Sequence, residues 1–120
     1  MVLAQLPCPC GIGTYDVHCG RLHRGEAQAE TPEELMRSRY SAYAVGDTDY
    51  VWRTWHPRTR PERVTEHGIE WTGLEVIDAH GDAETGVVEF VARHSGGGLH
   101  EVSRFERRAG RWFYVDGDVG

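Results

Sequence analysis

Apolar residues recur at helical spacing directly after residue 30. Met36, Tyr40 and Tyr43 are three or four residues apart, which places their side chains on one face of a helix. Thr31 is suited to be the N-cap of this helix, and Gly46 is suited to end it. The pattern therefore predicts a helix between these two residues.

The flanks of this helix carry further start and stop signals. Pro32 occupies the first helical position, and Glu34 completes a Thr-x-x-Glu capping box. A second helix is predicted to begin after Asp47 and to end near His56, because Pro57 follows. Its apolar positions are Tyr50, Val51, Trp52 and Trp55. A third short helical turn is predicted between Pro61 and Gly68.

From about residue 69 the apolar pattern changes to the alternation that is typical of strands. Turns are predicted at 80–82, 95–98 and 109–110, where Gly, Asp and Ser accumulate. The predicted strands are Trp71–Asp78, Gly86–His94, Leu99–Arg107 and Arg111–Asp116.

Alternation also predicts which side chains share a face of the sheet. In the second strand, Val88, Phe90 and Ala92 should face one way, with Glu89 and Arg93 on the other face. In the fourth strand, the same rule places Trp112, Tyr114 and Asp116 on one face. Helices followed by strands with short connections predict an α+β fold with an antiparallel sheet.

Composition and charge exclude several classes of protein. The 120-residue chain is long enough for one domain with its own core. Its 19 acidic and 13 basic residues give a net charge of −6, which argues against a nucleic-acid partner. No apolar run approaches the roughly 20 residues of a membrane span. Since residues 1–6 lack the features of a secretory signal, we expect a cytoplasmic protein with no membrane partner.

All three cysteines fall in the first 20 residues, and they suggest a metal site. Cys8 and Cys10 form one pair, and His18 and Cys19 form a second pair seven residues later. Three thiolates and an imidazole make a full tetrahedral set for Zn²⁺, with no position left for water. Such a site would be structural; the alternative is a metal-free loop with reduced thiols.

The segment Cys8-Pro9-Cys10-Gly11-Ile12-Gly13 resembles the SEC-C zinc motif, which has the form C-P-C-G-S-G followed by a Cys-Cys or Cys-His pair. Two departures are evident: the second gap is seven residues long instead of eight, and the closing pair begins with His18. The resemblance implies four ligands if His18 replaces the usual cysteine. His23 is the reserve candidate for the fourth ligand.

The resemblance extends over nearly the whole chain, to the YchJ family of bacterial proteins. The similar segments are LMRSRYSAY at 35–43, TWHP at 54–57, SRF at 103–105 and WFYVDG at 112–117. The resemblance implies a zinc-binding segment over residues 1–30 and a nuclear-transport-factor-two-like domain over residues 31–120. In that fold, helices pack in the concave face of a curved antiparallel sheet of about four strands, and a cavity lies between them.

Polar and aromatic residues of the second unit are candidates to line that cavity. They are Arg37, Arg39, Tyr40, Trp55, His56, Glu89, Arg104, Tyr114 and Asp116. The alternative is that Arg37 and Arg104 form structural ion pairs with Glu89 or Asp116, while the aromatic residues are core.

Three functions from different classes remain open. We favour a binding or adaptor module, with a protein partner at the zinc segment and a small-molecule ligand in the pocket. The alternative is a hydrolase or isomerase, with His56 or Asp116 as general acid–base and Arg104 or Arg37 stabilising an anion. The third is an oligomerisation domain without a ligand. Either a monomer or a homodimer is compatible with the sequence.

Overall fold

The helices and strands follow one another in the predicted order. The structure is a computed structural model, and it describes residues 5–65 and 68–120. The helices are α1 (Cys19–His23), α2 (Pro32–Val45) and α3 (Thr48–Arg53), with a 3-10 turn over Tyr15–Val17. The strands are β1 (Trp71–Gly81), β2 (Thr85–His94), β3 (Gly97–Arg108) and β4 (Arg111–Val119). In the described part of the chain, every helix is too short or too polar to cross a membrane.

Helix α2 begins and ends where its capping residues predict. The Thr31 hydroxyl accepts a hydrogen bond from the Glu34 amide at 3.0 Å. The Glu34 carboxylate accepts from the Glu30 amide at 2.7 Å, one residue earlier than in a standard capping box. Gly46 ends the helix with a left-handed φ of 80°, a conformation that costs glycine little.

Helix α3 also begins as predicted but ends earlier. The Asp47 side chain caps it by accepting from the Tyr50 amide at 3.0 Å. The helix ends at Arg53, because the next residues pair with strand β4: Tyr114 N donates to Thr54 O at 2.9 Å and His56 N donates to Tyr114 O at 2.7 Å. The prediction that the helix continues to about His56 is therefore wrong.

The third predicted helical turn is also not seen in the described residues. Residues 61–65 are irregular, and residues 66 and 67 lie outside the part of the chain that the structure describes. The Trp52 indole donates to Pro61 O at 3.0 Å, which ties this segment to α3 instead.

The four strands form one antiparallel sheet in the order β1-β2-β3-β4, and the sheet is curved around α2. The predicted α+β class is confirmed. The first turn lies later than predicted, because His80 and Gly81 still pair with β2. The Asp82 carboxylate makes the turn by accepting from the amides of Glu84 and Thr85, each at 2.9 Å.

A β-bulge in β4 changes which side chains face the helices. Arg104 pairs with Asp116 and Phe105 pairs with Tyr114, so Val115 has no partner in the register. The extra residue moves Asp116 to the outer face of the sheet, opposite to the inner face that packs on α2. The prediction that Asp116 shares a face with Trp112 and Tyr114 is therefore wrong. In β2 the predicted alternation holds, with Val88, Phe90 and Ala92 buried.

One hydrophobic core extends from the N-terminal segment to the sheet. Cys8, Cys10 and Cys19 belong to the same buried cluster as Leu35 of α2 and Phe105 of β3. The division of the chain at residue 30 stays a prediction, and the two parts share this core.

A close approach between α2 and β2 yields the first testable prediction. An added Cβ on Gly86 would overlap Pro32 Cγ and stand 2.9 Å from Pro32 Cβ, and the proline ring cannot rotate away. We expect Gly86→Ala to lower the free energy of unfolding by about 1 to 3 kcal/mol, measured by urea denaturation. Gly73→Ala in β1 is the control, since a Cβ added at Gly73 would meet no atom within 4 Å. Equal effects of the two substitutions would contradict this packing.

Candidate metal centre and adjoining cavity

A short hairpin turn positions the first two cysteines. The Cys8 amide donates to Gly13 O at 2.8 Å, and the Gly11 amide donates back to Cys8 O at 2.9 Å. Gly11 has a φ of 93°, which a residue with a side chain rarely adopts. This turn brings Cys8 and Cys10 to the same side of the hairpin.

The other two candidate ligands lie at the start of α1. His18 is the N-cap residue and Cys19 is the first helical residue. The 3-10 turn before them is closed by the His18 amide, which donates to Tyr15 O at 3.1 Å. The adjacent pair is thereby held against the hairpin.

The four ligand atoms come close enough to share one ion. The three Sγ atoms and a nitrogen of His18 all lie within 4.8 Å of one another. His18 Nδ1 is 3.3 Å from Cys10 Sγ and 3.4 Å from Cys19 Sγ. Sulfur and nitrogen ligands of one tetrahedral Zn²⁺ would be about 3.6 Å apart. The donor set therefore fits a zinc ion, with Nδ1 as the histidine ligand atom.

The buried thiols need a cation if more than one is to ionise. Hydrogen bonds from the Cys10 and Cys19 thiols lower the pKa of Cys8. The pKa of Cys19 is raised by its contacts with Cys10 and Cys8 and by burial. The first thiolate thus forms easily and disfavours the next. A divalent metal ion removes this conflict by compensating the negative charge.

Helix α2 supplies a second layer around the cluster. The Ser41 hydroxyl, which is fully buried, is 3.5 Å from Cys8 Sγ. Arg37 donates to Cys10 O at 2.9 Å and forms an ion pair with Glu33 at 2.9 Å. Outer contacts of this kind orient metal ligands. Arg37, a sequence candidate for the cavity, therefore lies beside the cysteine cluster instead.

His23, the reserve candidate ligand, has both ring nitrogens occupied elsewhere. Nε2 is 2.9 Å from Ser38 O, so this nitrogen carries the proton and donates. Nδ1 is 2.6 Å from the Tyr15 hydroxyl and accepts from it. Burial lowers the pKa of His23, which favours this neutral form. His18 is therefore the fourth member of the cluster.

The same histidine anchors the N-terminal segment to the helices. Its ring packs against Tyr50 of α3 with a centroid distance of 4.6 Å, and the Tyr50 hydroxyl is 2.7 Å from Ser38 Oγ. Arg53 donates to His23 O at 2.6 Å. The sequence did not predict this contact, because the N-terminal segment around His23 has no regular spacing of apolar residues.

A cavity of about 170 Å³ lies between α2 and the inner face of the sheet. One group of lining side chains is polar or carries a polar tip: Arg39, Tyr43, Trp55, Glu101, Ser103 and Tyr114. The remainder is mainly apolar: Met36, Tyr40, Trp71, Phe90, Ala92, Leu99 and Phe105.

The structure divides the nine sequence candidates for this cavity. Arg39, Tyr40, Trp55 and Tyr114 line it, and the other five do not.

The other four excluded candidates, like Arg37, have polar partners away from the cavity. Arg104 contacts Asp116 at 2.6 Å and Asp118 at 2.8 Å on the outer face of the sheet. Glu89 lies on the same face, 2.7 Å from His100 Nε2. His56 Nε2 is 3.7 Å from Glu106, which also pairs with Arg58. The predicted ion pair between Arg104 and Asp116 exists, but it is exposed.

Sequence reasoning missed two polar residues of β3 that line the cavity. Glu101 and Ser103 precede the buried Phe105 by four and two residues, so strand alternation places them on its face. That signal is present in the sequence.

Comparisons with known proteins agree with this architecture. The model of the YchJ middle NTF2-like domain matches residues 31–117. A UPF0225 protein of Streptomyces coelicolor is 56% identical over 117 residues, covering 93% of this chain and 94% of its own length. A UPF0225 protein of Cupriavidus metallidurans is 53% identical over 125 residues, covering 94% of this chain and 89% of its own length.

Two solved structures share the fold over nearly the full chain. The solution structure of a SEC-C motif containing protein from Rhodopseudomonas palustris has a TM-score of 0.85 and 36% identity, covering 96% of this chain and 99% of the other. The crystal structure of a SEC-C motif containing protein from Psychrobacter arcticus has a TM-score of 0.82 and 26% identity, covering 100% and 86%.

The contact between Tyr15 and His23 yields the second testable prediction. Tyr15→Phe removes a hydroxyl that donates to a buried ring nitrogen and leaves that nitrogen without its partner. We expect a loss of about 1 to 2 kcal/mol in the free energy of unfolding, measured by denaturant titration. Tyr43→Phe is the matched control, since Tyr43 is 39% exposed. If Tyr15→Phe is as stable as the wild type, the hydrogen bond between Tyr15 and His23 does not contribute to stability as expected.

Proposed function

The chain belongs to the YchJ family, and from that premise we propose that it is a binding module built around one structural Zn²⁺. Its two parts are a metal-held surface for a protein partner and a cavity for a small molecule.

The metal part of the proposal depends on the closed donor set. Cys8, Cys10, His18 and Cys19 provide four protein ligands within 4.8 Å, which leaves no vacancy for water or substrate. Soft thiolate ligands favour zinc over magnesium or calcium. When bound, the ion would neutralise the thiolates and cross-link the hairpin to α1. It would stabilise the fold and take no part in a reaction.

The partner surface is proposed on the outer side of the same segment. Its cysteines face the core, whereas Ile12 at the tip of the hairpin is 45% exposed and Val17 is 71% exposed. Val17 ends the 3-10 turn that follows the hairpin. Two exposed aliphatic side chains on a segment held by a metal provide an apolar contact that costs little ordering entropy. We therefore place the protein partner at these two side chains, one at the tip and one on the turn.

The contacts favour binding over the enzyme alternative. That alternative relied on His56, Asp116, Arg104 and Arg37, which all lie outside the cavity lining. Among the described residues, Glu101 is the one carboxylate in the lining, so a reaction in the cavity would have to use it.

The oligomerisation alternative has little support on the outer face of the sheet. That face carries ion pairs of Glu75 with Arg93, Glu89 with His100 and Arg104 with Asp116. Charged residues of this kind are depleted in the cores of protein interfaces.

Metal content provides the third testable prediction. We expect one zinc per chain in the purified protein, measured by elemental analysis. His18→Ala should weaken zinc binding by roughly tenfold or more, since even outer-layer substitutions at zinc sites cost roughly 10- to 100-fold. The effect should appear as zinc lost to a competing chelator.

His80→Ala is the matched control for that experiment, because His80 is exposed on β1 and contacts Asp78. It should retain zinc like the wild type. A wild-type protein that binds no zinc from solution, or an H18A variant that binds it equally well, would rule out the proposed site.

The partner surface provides the fourth prediction. The double variant Ile12→Asp, Val17→Asp should retain its zinc, because both side chains are exposed and all four proposed ligands are unchanged. It should lose a discrete partner that copurifies with the wild-type protein. Ile77→Asp is the control, since Ile77 is 50% exposed on β1. If the double variant keeps every partner that the wild type binds, the tip is not the docking surface.

A further inference from the structure

The cavity contains a buried arginine that has no ion-pair partner among the described residues. Arg39 is 6% exposed, and its Nη1 donates to Val51 O and Thr54 Oγ1, each at 2.7 Å. Within residues 5–65 and 68–120, no carboxylate lies within 4.0 Å of its guanidinium. Nε and Nη2 also have no hydrogen-bond acceptor in that part of the chain. Buried charges in proteins are normally paired or bind a ligand.

Aromatic rings hold the guanidinium in place. Arg39 Cζ is 4.5 Å from the centre of the Tyr114 ring and 5.2 Å from that of Trp55. The indole Nε1 of Trp55 is buried and has no acceptor among the described residues. Arg39 thus has unused hydrogen-bonding capacity in the lining of the cavity, which indicates that an acceptor belongs there.

A negative charge lies in the lining of the same cavity. The Glu101 carboxylate accepts from the Ser103 hydroxyl and from the Tyr114 hydroxyl, the latter at 3.4 Å. It is farther than 4.0 Å from Arg39. Burial raises the pKa of Tyr114, and the negative charge of the nearby Glu101 raises it further. The cavity therefore presents separated positive and negative groups instead of an internal ion pair.

The rest of the lining sets the size and the apolar character of an occupant. Leu99, Ala92, Phe90 and Met36 give the lining its apolar part. An apolar cavity of about 150 Å³ accepts benzene, so a volume of 170 Å³ suits a molecule of about six to nine heavy atoms. Tyr43, which is 39% exposed, marks the mouth.

We propose that this cavity binds a small α-amino acid with an apolar side chain. Its carboxylate would accept from Arg39, its ammonium group would donate to Glu101, and its side chain would pack against Leu99 and Ala92. This inference rests on the proposed ligand-binding role of the cavity and names the class of ligand.

Charge balance distinguishes this class from simpler ligands. A plain carboxylic acid would satisfy Arg39 but would place a second anion near Glu101. A plain amine would satisfy Glu101 but would place a second cation near Arg39. Only a zwitterion compensates both groups in one low-dielectric space.

The first experiment is a calorimetric titration of the full-length zinc-loaded protein with three probes of similar shape. L-leucine carries both charges, 4-methylpentanoate lacks the ammonium group, and 3-methylbutylamine lacks the carboxylate. We expect saturable binding of L-leucine with a dissociation constant below about 1 mM. Each truncated probe should bind at least tenfold more weakly. Equal binding of either truncated probe, or no binding of L-leucine, would overturn the inference.

The second experiment tests the residues. Glu101→Gln keeps the size and an acceptor for Ser103 and Tyr114, and should weaken L-leucine at least tenfold while strengthening 4-methylpentanoate. Glu89→Gln, on the outer face, is the matched control and should change neither. Arg39→Gln should abolish L-leucine binding. Because Arg39 also contacts α3, the circular dichroism spectrum of this variant is compared with that of the wild type to check that it is folded. If Glu101→Gln leaves L-leucine affinity unchanged, the inference is overturned whatever Arg39→Gln does.

Zinc content, measured beside L-leucine binding in the wild-type protein, separates the two proposals. Wild-type protein that holds zinc but does not bind L-leucine overturns the amino-acid site and leaves the structural metal site standing. Protein that binds L-leucine without holding zinc overturns the metal site and supports the amino-acid site.

Discussion

Helix α2 is buried on two sides, and the rest of the molecule depends on that constraint. Met36 and Tyr40 pack toward the sheet, whereas Ser38 and Ser41 face the N-terminal segment. A helix with two buried faces cannot leave its polar side chains to solvent, so each needs a partner. Ser38 meets this requirement by donating to Leu35 O and sharing a hydrogen bond with Tyr50. The cysteine cluster and the cavity are consequently built on opposite sides of one helix.

Local chemistry made the helix starts and the cysteine cluster predictable from the sequence. Thr31 and Asp47 form caps with residues three positions away, and Cys8 to Cys19 span only twelve residues. Events that join distant parts of the chain were not predictable. The bulge at Val115 and the early end of α3 both occur where β4 meets the residues after α3. The alternation of apolar residues in a strand and their spacing in a helix are local patterns, and they do not predict contacts between distant segments.

Only part of the cavity lining could be predicted from the sequence. Arg39, Tyr40, Trp55 and Tyr114 come from segments whose inward face could be read from spacing or resemblance. Charged residues on the strands were harder to place, because a carboxylate can belong to either face of a sheet. Asp116 is on the outer face through the bulge, whereas Glu101 is inside because alternation from Phe105 continues undisturbed. Charge alone therefore did not indicate which strand residues meet the helices.

The sheet is a simple meander, in which every pair of neighbouring strands is also consecutive in the chain. Closing such hairpins costs little loop entropy, so the sheet can form from its own residues. The contacts that join it to the rest are far longer in sequence: the Trp112 indole donates to Glu30 O across 82 residues. During synthesis the cysteine segment and α2 leave the ribosome before any strand does. The fourth strand is made after the other three, and the cavity therefore lacks its Tyr114 wall until this strand docks beside Thr54 and Glu30.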